Sequence, residues 1–364
     1  MRLQLTLALL LAASPGRADS RADATLRVYT DDDDMTVVSP SVRAEAEVGR
    51  TTIEASATAD AVTGASIDVV TSASPAAISE RRVEFGVGAT RTVTPTAPLA
   101  LSGSLHGSFE VDHEAFRGEA GASVELLDRQ LTLGARYTGG RDAIGTVMDP
   151  SFERTRVLHQ VTTTVSVILD RRTIVDVVVE GTTSRGYHAS PYRRVPLVAP
   201  DWPTPTWLAE EVPATRRSIA GAGRLRRALG ETWFGALGYR VYRDDWSITS
   251  QTASVDARRQ LGARVLAGVG ARAYHQTGAD FYRAAYVDDG GGAPRFRTRD
   301  RTLGPMRTLF GSLTVDVTLG ERRAWHALVA GGVLASWFLD FPPQADRHAL
   351  LVTLSLSRAL GGEP

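Results

Sequence analysis

Charged side chains alternate with apolar ones along much of this 364-residue chain, and their signs differ between its two halves. The acidic candidates are Glu45, Glu84, Glu110 and Asp176, and the basic candidates are Arg224, Arg240, Arg258 and Arg272. If both sets line one water-filled interior, an acidic wall faces a basic wall, and the field between them orders polar solutes and ions. The alternative is that these groups pair as salt bridges and brace a closed interior.

The most compact polar motif is an acidic pair followed by tryptophan, Asp244-Asp245-Trp246. Two more acidic clusters occur at residues 31–34 and 288–289. Carboxylate oxygens are the ligands that Ca²⁺ prefers, but none of these clusters has the ligand spacing of an EF-hand. Asp244 also has a structural alternative, since aspartate side chains fix tight turns through hydrogen bonds to the backbone. We therefore expect no metal site.

Histidine and serine residues give weak support for catalysis. The seven histidines do not follow a metal-ligand spacing, and cysteine is absent. Ser247 and Ser250 lie on a hairpin next to His275, so a hydrolase is a minor alternative, although a catalytic serine needs a histidine that a third group orients. The glycine run at 290–292 opens no helix, which argues against a phosphate-binding loop. We predict a protein that is not an enzyme and holds no cofactor.

The elements that must position these side chains are β-strands. The segments VRAEAEV at 42–48 and VEFGVGA at 83–89 place apolar residues at every second position. A period of two predicts strands with one apolar face and one polar face. Strands of about 9 to 11 tilted residues cross a bilayer, and the blocks that contain these segments, each of roughly 10 to 15 residues, reach this length. The sequence therefore predicts an all-β fold, a transmembrane antiparallel up-and-down β-barrel.

The predicted strands are 24–30, 36–48, 51–62, 80–93, 97–112, 115–127, 130–140, 155–169, 172–186, 215–228, 231–243, 247–260, 263–277, 301–318, 322–339 and 346–360. Tight turns alternate with longer joints, the longest at 63–79, 141–154, 187–214 and 278–300. Outer-membrane barrels have short periplasmic turns and longer external loops, so this alternation assigns each joint to one side of a membrane. It also favours a barrel over a Greek-key sandwich. The count is about 16 strands, and 14 or 18 fit the same pattern.

The N-terminal residues have the three parts of a secretory signal peptide. Arg2 precedes an apolar run over residues 3–13, Pro15 ends that run, and Gly16-Arg17-Ala18 supplies the small residues of a cleavage site. We predict a signal peptide over residues 1–18 and a barrel domain over residues 19–364. The formal net charge is zero, which gives no support for a nucleic-acid partner.

Six sequence blocks carry a resemblance to a known family. They are DAVTGAS (60–66), SFEVDHEAF (108–116), SPYRRV (190–195), EEVPATRR (210–217), GYRVYRDDWSITSQT (238–252) and RAYHQTGADFY (272–282). In this order they resemble the blocks of a bacterial outer-membrane family, domain-of-unknown-function family 3570. The resemblance spans nearly the whole chain after the signal peptide and implies an exported outer-membrane β-barrel with no established reaction. The terminal segment LSLSRALGGEP departs from outer-membrane barrels because it lacks a final aromatic residue.

Together these patterns predict a channel in the outer membrane for small polar solutes or ions. The alternative is a closed barrel that serves as a scaffold and displays its loops to a binding partner. The loop 187–214 fits that alternative, because it combines several aromatic residues with proline. The expected partners are the lipid bilayer, the barrel-assembly machinery and a solute or protein whose identity the sequence does not give.

Overall fold

The computed structural model describes residues 20–63, 79–93, 98–199, 202–320, 325–341 and 346–360. The predicted signal peptide, residues 1–18, lies outside the described residues. Strands make up most of the described chain, and the one short helix is the 3₁₀ turn Arg301–Leu303. No helix within these residues has the length and apolar character needed to cross a membrane.

Sixteen strands close into one antiparallel barrel in which neighbours along the chain are neighbours in space. They are β1 (Arg21–Asp31), β2 (Thr36–Val48), β3 (Thr51–Thr63), β4 (Ser79–Thr92), β5 (Leu99–Phe109), β6 (His113–Leu126), β7 (Leu131–Ile144), β8 (Arg154–Asp170), β9 (Thr173–Gly186), β12 (Thr215–Ala228), β13 (Trp233–Asp244), β14 (Thr249–Leu261), β15 (Val265–Gln276), β17 (Met306–Leu319), β18 (Trp325–Phe338) and β19 (Asp346–Ala359). Three further strands form a separate small sheet: β10 (Arg194–Ala199), β11 (Trp202–Ala209) and β16 (Tyr286–Val287).

The barrel closes where the first strand meets the last. β1 pairs with β19 along its whole length, from Arg21 opposite Ala359 to Asp31 opposite Ala349. Beyond the strand ends, the Leu360 N–H donates to the Ser20 carbonyl at 2.6 Å. Closure removes the unpaired edges that an open sheet would expose. The prediction of a sixteen-stranded up-and-down barrel is confirmed.

Each barrel strand has an apolar outward face and a polar inward face. Val177 and Val179 on β9 are 42% and 44% exposed, and exposed apolar residues occur at every second position on most strands. The polar residues between them share the opposite face, and the cross-strand register keeps this face continuous, as in Arg43 opposite Ser56. So much exposed apolar surface is typical of a protein that lies in lipid.

The two ends of the barrel differ in their connections. One end has tight turns, several of them with a glycine in the left-handed region, such as Gly49 (φ 65°) and Gly262 (φ 66°). Glycine has no Cβ and adopts this conformation at no steric cost, so the chain can reverse direction within a few residues. The other end has the long connections 187–214 and 277–305, which we call the loop layer.

The loop layer is more ordered than the sequence predicts. The joints 187–214 and 278–300 contain β10, β11 and β16, because Leu197 pairs with Tyr286 in a parallel ladder. The predicted strand 301–318 begins later, at Met306. Its first residues form the 3₁₀ turn instead, since the Asp300 side chain accepts a hydrogen bond from the Thr302 N–H and caps the turn.

The first prediction tests which end of the barrel faces outward from the cell. The chain contains no cysteine, so single substitutions can be labelled without background. We expect Met148→Cys, 74% exposed in the connection after β7, to react with a membrane-impermeant thiol reagent on intact cells. Leu127→Cys, 71% exposed in a tight turn, should react only after the cells are opened. Labelling of the Leu127 variant alone on intact cells would reverse the orientation.

The second prediction tests the two faces of β9. Val177 points outward and Val178 inward. An arginine near the bilayer midplane on the lipid face of a barrel costs about 2–4 kcal/mol. We therefore expect Val177→Arg to lower the yield of folded barrel in heat-modified gel mobility, whereas Val178→Arg, which adds the same side chain one residue away, leaves it close to wild type. Equal loss in both variants would contradict the assignment of faces.

Candidate functional site

The inward face of the barrel contains the charged residues that the sequence singles out. Glu45 and Glu84 lie on β2 and β4, and Glu110 directly follows β5. Asp176 lies on β9, and the four arginines lie on the inward face from β12 to β15: Arg224, Arg240, Arg258 and Arg272. The fold thus gathers these residues around one lumen, although they are spread over most of the chain.

Ion pairs neutralise much of the acidic side of this lumen. Arg43 lies 2.5 Å from Glu54 and 3.6 Å from Glu45. Arg82 forms a similar cluster, with distances of 2.5 Å to Asp60, 3.3 Å to Glu84 and 3.9 Å to Glu110. The arginines between the acidic residues therefore remove the uniformly acidic wall that the sequence predicts.

The basic side shows the same mixing. Arg226 pairs with Asp176 at 2.7 Å, and Arg224 pairs with Asp256 at 3.2 Å. Arg240 lies 4.0 Å from Glu180. Arg258 and Arg272 differ from these three, because both are exposed on the inward face and neither has an ion pair among the described residues. The predicted separation into two walls thus gives way to paired charges with a few unpaired arginines.

A cavity of about 770 Å³ lies at the tight-turn end, against β9, β12, β13 and β14. Its charged lining residues are Asp170, Arg171, Arg172, Arg224, Arg226, Arg227, Asp256 and Arg258. Arginine guanidinium groups outnumber carboxylates here, so the cavity carries a positive potential. Such a potential attracts anions to this part of the lumen.

The motif Asp244-Asp245-Trp246 acts as a structural clamp at the opposite end. One carboxylate oxygen of Asp244 accepts the backbone N–H groups of Trp246 and Ile248, at 3.1 and 2.9 Å. The other accepts hydrogen bonds from Arg216 at 2.6 Å and from the Tyr242 hydroxyl at 2.9 Å. These bonds occupy the oxygens that a cation would need, and the described residues contain no cluster of acidic or histidine side chains suited to a metal ion.

Trp246 shows what this clamp holds in place. Its side chain is 4% exposed and packs with Ile248, Ala279 and Tyr282. The Arg216 guanidinium lies over its ring at 4.5 Å, and its indole N–H donates to the Thr215 carbonyl at 2.9 Å. The tryptophan therefore anchors the connection 277–305 to the short hairpin after β13. Asp245 plays a lesser part and accepts the Arg217 N–H at 2.9 Å.

Buried polar groups tie the two halves of the loop layer together. The Glu210 carboxylate accepts the Ser190 N–H at 2.5 Å, lies 3.1 Å from Arg193 and accepts a hydrogen bond from the Thr298 hydroxyl. Burial raises the pKa of Glu210, and the charge of Arg193 opposes that shift. Burial also raises the pKa of Tyr286 to about 12, and the Tyr286 hydroxyl donates to the Phe281 carbonyl at 2.5 Å.

Further contacts connect the loop layer to distant hairpins. Arg301, 2% exposed, pairs with Asp33 in the turn after β1 and lies over the Phe338 ring at 4.4 Å. Tyr192 donates a hydrogen bond to Asp112 after β5 and accepts the Val147 N–H at 3.0 Å. The loop layer is thus joined to connections around most of the rim.

The residues of the hydrolase alternative are not brought together. Ser250 is opposite Gln276, and His275 is opposite Gln251, so Ser250 points inward and His275 outward. The Ser247 hydroxyl donates to Asp280 at 2.5 Å and contacts no histidine among the described residues.

The sequence reasoning did not single out Glu210 and Arg301, the two buried charged residues that hold the loop layer together. The family block EEVPATRR marks Glu210, whereas no pattern marks Arg301.

A closed antiparallel barrel with an apolar outward face and a charged lumen defines the class of outer-membrane β-barrels. Within that class, the sequence profile of a family described as a protein of unknown function (DUF3570) matches residues 114–331. The chain belongs to this family, as the sequence blocks predict. No curated protein sequence matches the chain.

Several solved structures are similar in fold. A bacterial polysaccharide outer membrane secretin has a TM-score of 0.53 at 7% identity, with 94% of this chain and 98% of that chain covered. The CymD monoaromatic hydrocarbon channel has a TM-score of 0.47 at 10% identity, with 99% and 92% covered. The siderophore receptor PirA from Pseudomonas aeruginosa has a TM-score of 0.44 at 10% identity, with 89% of this chain covered, and the present chain spans only 57% of its length. At these identities the likeness concerns the fold alone.

The third prediction tests the Asp244 clamp. Asp244→Ala removes five hydrogen bonds and leaves Arg216 without its partner, and such a loss at a buried pair costs about 3–5 kcal/mol. We expect a clear fall in the midpoint of thermal unfolding, measured by heat-modified gel mobility. Asp245→Ala is the matched control, because it removes one hydrogen bond, worth about 0.5–1.5 kcal/mol. A larger effect of the Asp245 variant would refute the structural role of Asp244.

Proposed function

We propose that this protein lies in the outer membrane and lets small polar solutes or ions pass through its lumen. The observation that carries this proposal is the direction of the inner-face ion pairs. Among the described barrel residues, each pair joins positions on the same strand, on adjacent strands, or on two strands with a single strand between them. Arg224–Asp256 and Arg240–Glu180 are pairs of the last kind. The pairs therefore run along the wall and leave the barrel axis clear of salt bridges.

The width of the barrel supports the same proposal. Barrels of about 16 strands enclose an aqueous channel, whereas narrow barrels are filled by their own side chains. The positive cavity at the tight-turn end, with Arg258 on its wall, favours anions over cations. Residual wall charges act strongly on a passing ion, because the walls of a protein pore focus the field.

A second candidate function follows from the loop layer. The small sheet of β10, β11 and β16 and the buried Glu210 make this end of the barrel a shaped surface that could present a binding site to a protein or an extracellular ligand. In that case the barrel serves as a scaffold, and the lumen carries no current. In both cases the bilayer and the barrel-assembly machinery are the partners that insertion requires.

The fourth prediction tests passage and its charge preference. We expect the purified protein to conduct ions in planar bilayers. The double variant Arg258→Gln, Arg272→Gln should move the reversal potential toward cation preference, because it removes two unpaired positive charges from the lumen. The shift should shrink in concentrated salt, which shortens the Debye length from about 10 Å at 0.1 M to about 3 Å at 1 M.

Two further variants complete this experiment. Arg259→Gln removes a charge one residue from Arg258 but on the outward face, where its guanidinium lies over the Trp233 ring, and should leave selectivity unchanged. The triple variant Glu45→Gln, Glu84→Gln, Glu110→Gln should shift the reversal potential in the opposite direction. A protein that is folded but conducts no ions would overturn the channel and favour the scaffold.

A further inference from the structure

The outward face carries an unexpected group of arginines near the loop layer. Arg185, Arg217 and Arg243 lie on the adjacent strands β9, β12 and β13, each within three residues of the strand end. All three are exposed and occupy the same face as Val177 and Val179. This face is otherwise apolar in the middle of the barrel, so these charges form a distinct zone at its rim.

The register brings the three arginines close together. Arg217 is opposite Thr183 and Arg185 is opposite Thr215, which makes the two arginines diagonal neighbours on one face. Arg243 is opposite Ile219, so it stands in the same diagonal relation to Arg217. Diagonal neighbours in a sheet are about 7–8 Å apart, and like charges at close cross-strand positions repel. None of the three has an ion pair among the described residues.

A fourth arginine extends this zone around the rim. This arginine, Arg307, belongs to a row of residues that pair across the adjacent strands β14, β15, β17 and β18. The row consists of Gln251, His275, Arg307 and Trp337, and all four lie on the outward face. They line a groove of about 640 Å³ that also contains Tyr239 and Leu309. The Tyr239 hydroxyl donates to Gln251 at 3.0 Å. The groove therefore has polar donors toward the rim and apolar side chains beside them.

Acidic residues do little to balance this zone. Asp245 is exposed beside Arg217, but its carboxylate accepts the backbone N–H of that residue, not its guanidinium. Asp346 is opposite Trp337 at the far end of the row. The four arginines thus face outward with donors unused by any carboxylate of the described chain. A guanidinium presents paired N–H groups in a geometry that matches phosphate oxygens.

We infer that this rim, which we call the arginine belt (Arg185, Arg217, Arg243 and Arg307), binds the phosphate groups of lipids in the external leaflet. The apolar surface below the belt would contact the acyl chains of the same lipids, while the guanidinium groups would hold the headgroups. Basic residues at this depth attract anionic lipids and are screened by salt. The inference rests on the proposed location in the outer membrane, but not on passage through the lumen.

The test compares lipid retention by belt and control variants. The belt variant is R185Q/R217Q/R243Q. The control variant is R91Q/R259Q/R358Q, which removes three exposed arginines from the outward face near the tight turns. The purified proteins are incubated with phosphatidylcholine vesicles that contain lipopolysaccharide, or with phosphatidylcholine vesicles alone, and the bound lipid is measured by mass spectrometry after extraction into detergent.

We expect the wild type and the control variant to retain lipopolysaccharide, and the belt variant to retain severalfold less. R307Q alone should give a smaller loss, and concentrated salt should reduce retention by the wild type. Equal retention by the belt and control variants would overturn the inference. So would complete displacement of the lipid by inorganic phosphate, because that result would indicate a site for the free anion.

Two controls separate this test from failure of folding and from failure of the channel. Heat-modified gel mobility reports whether each variant is a closed barrel, and if the triple variant does not fold, R217Q and R307Q are compared singly with R259Q. Conductance is measured on the same preparations and should be unchanged in the belt variant, because its residues face away from the lumen. Loss of lipid with normal conductance supports the belt, and normal lipid retention with no conductance refutes only the channel.

Discussion

Backbone hydrogen bonding is the constraint on which the rest of this structure depends. A strand that crosses a bilayer finds no water for its N–H and C=O groups, so each strand must be paired on both sides. The pairing of β1 with β19 meets this requirement for the last two edges. Closure through sixteen antiparallel strands also fixes which connections share an end, and it directs alternate side chains toward one lumen.

The lumen shows how this constraint shapes electrostatics. Strand pairing brings inward-facing side chains to neighbouring positions, where long arginine side chains reach carboxylates on the next strand, as Arg82 reaches Asp60. Most charges are therefore satisfied along the wall. Arg258 and Arg272 inside the lumen and the arginine belt outside it are exceptions to this pattern. For that reason they carry the two proposals about solutes and lipids.

The loop layer obeys a different rule. Its segments lie beyond the barrel, so their polar groups need partners among themselves. Asp244 accepts five hydrogen bonds, from Arg216, Tyr242, Trp246 and Ile248, and so fixes the hairpin that contacts this layer. Within the layer, Glu210 links two connections that are distant in the chain. These carboxylates could be mistaken for cation or catalytic groups from their types alone. Their partners show that they hold loops in position over one end of the barrel.

The sequence by itself determined the barrel. Its period of two and its turns indicated about 16 strands, with 14 or 18 equally compatible. The predicted bounds 36–48 and 215–228 agree with Thr36–Val48 and Thr215–Ala228. It also placed the candidate lumen residues on one face, because alternation is a local property. Only the tertiary structure decided which charges pair, that Leu197 meets Tyr286, and that Arg185, Arg217 and Arg243 form one group. These contacts join residues far apart in the chain, and their register depends on the closure of the whole barrel, which no local pattern encodes.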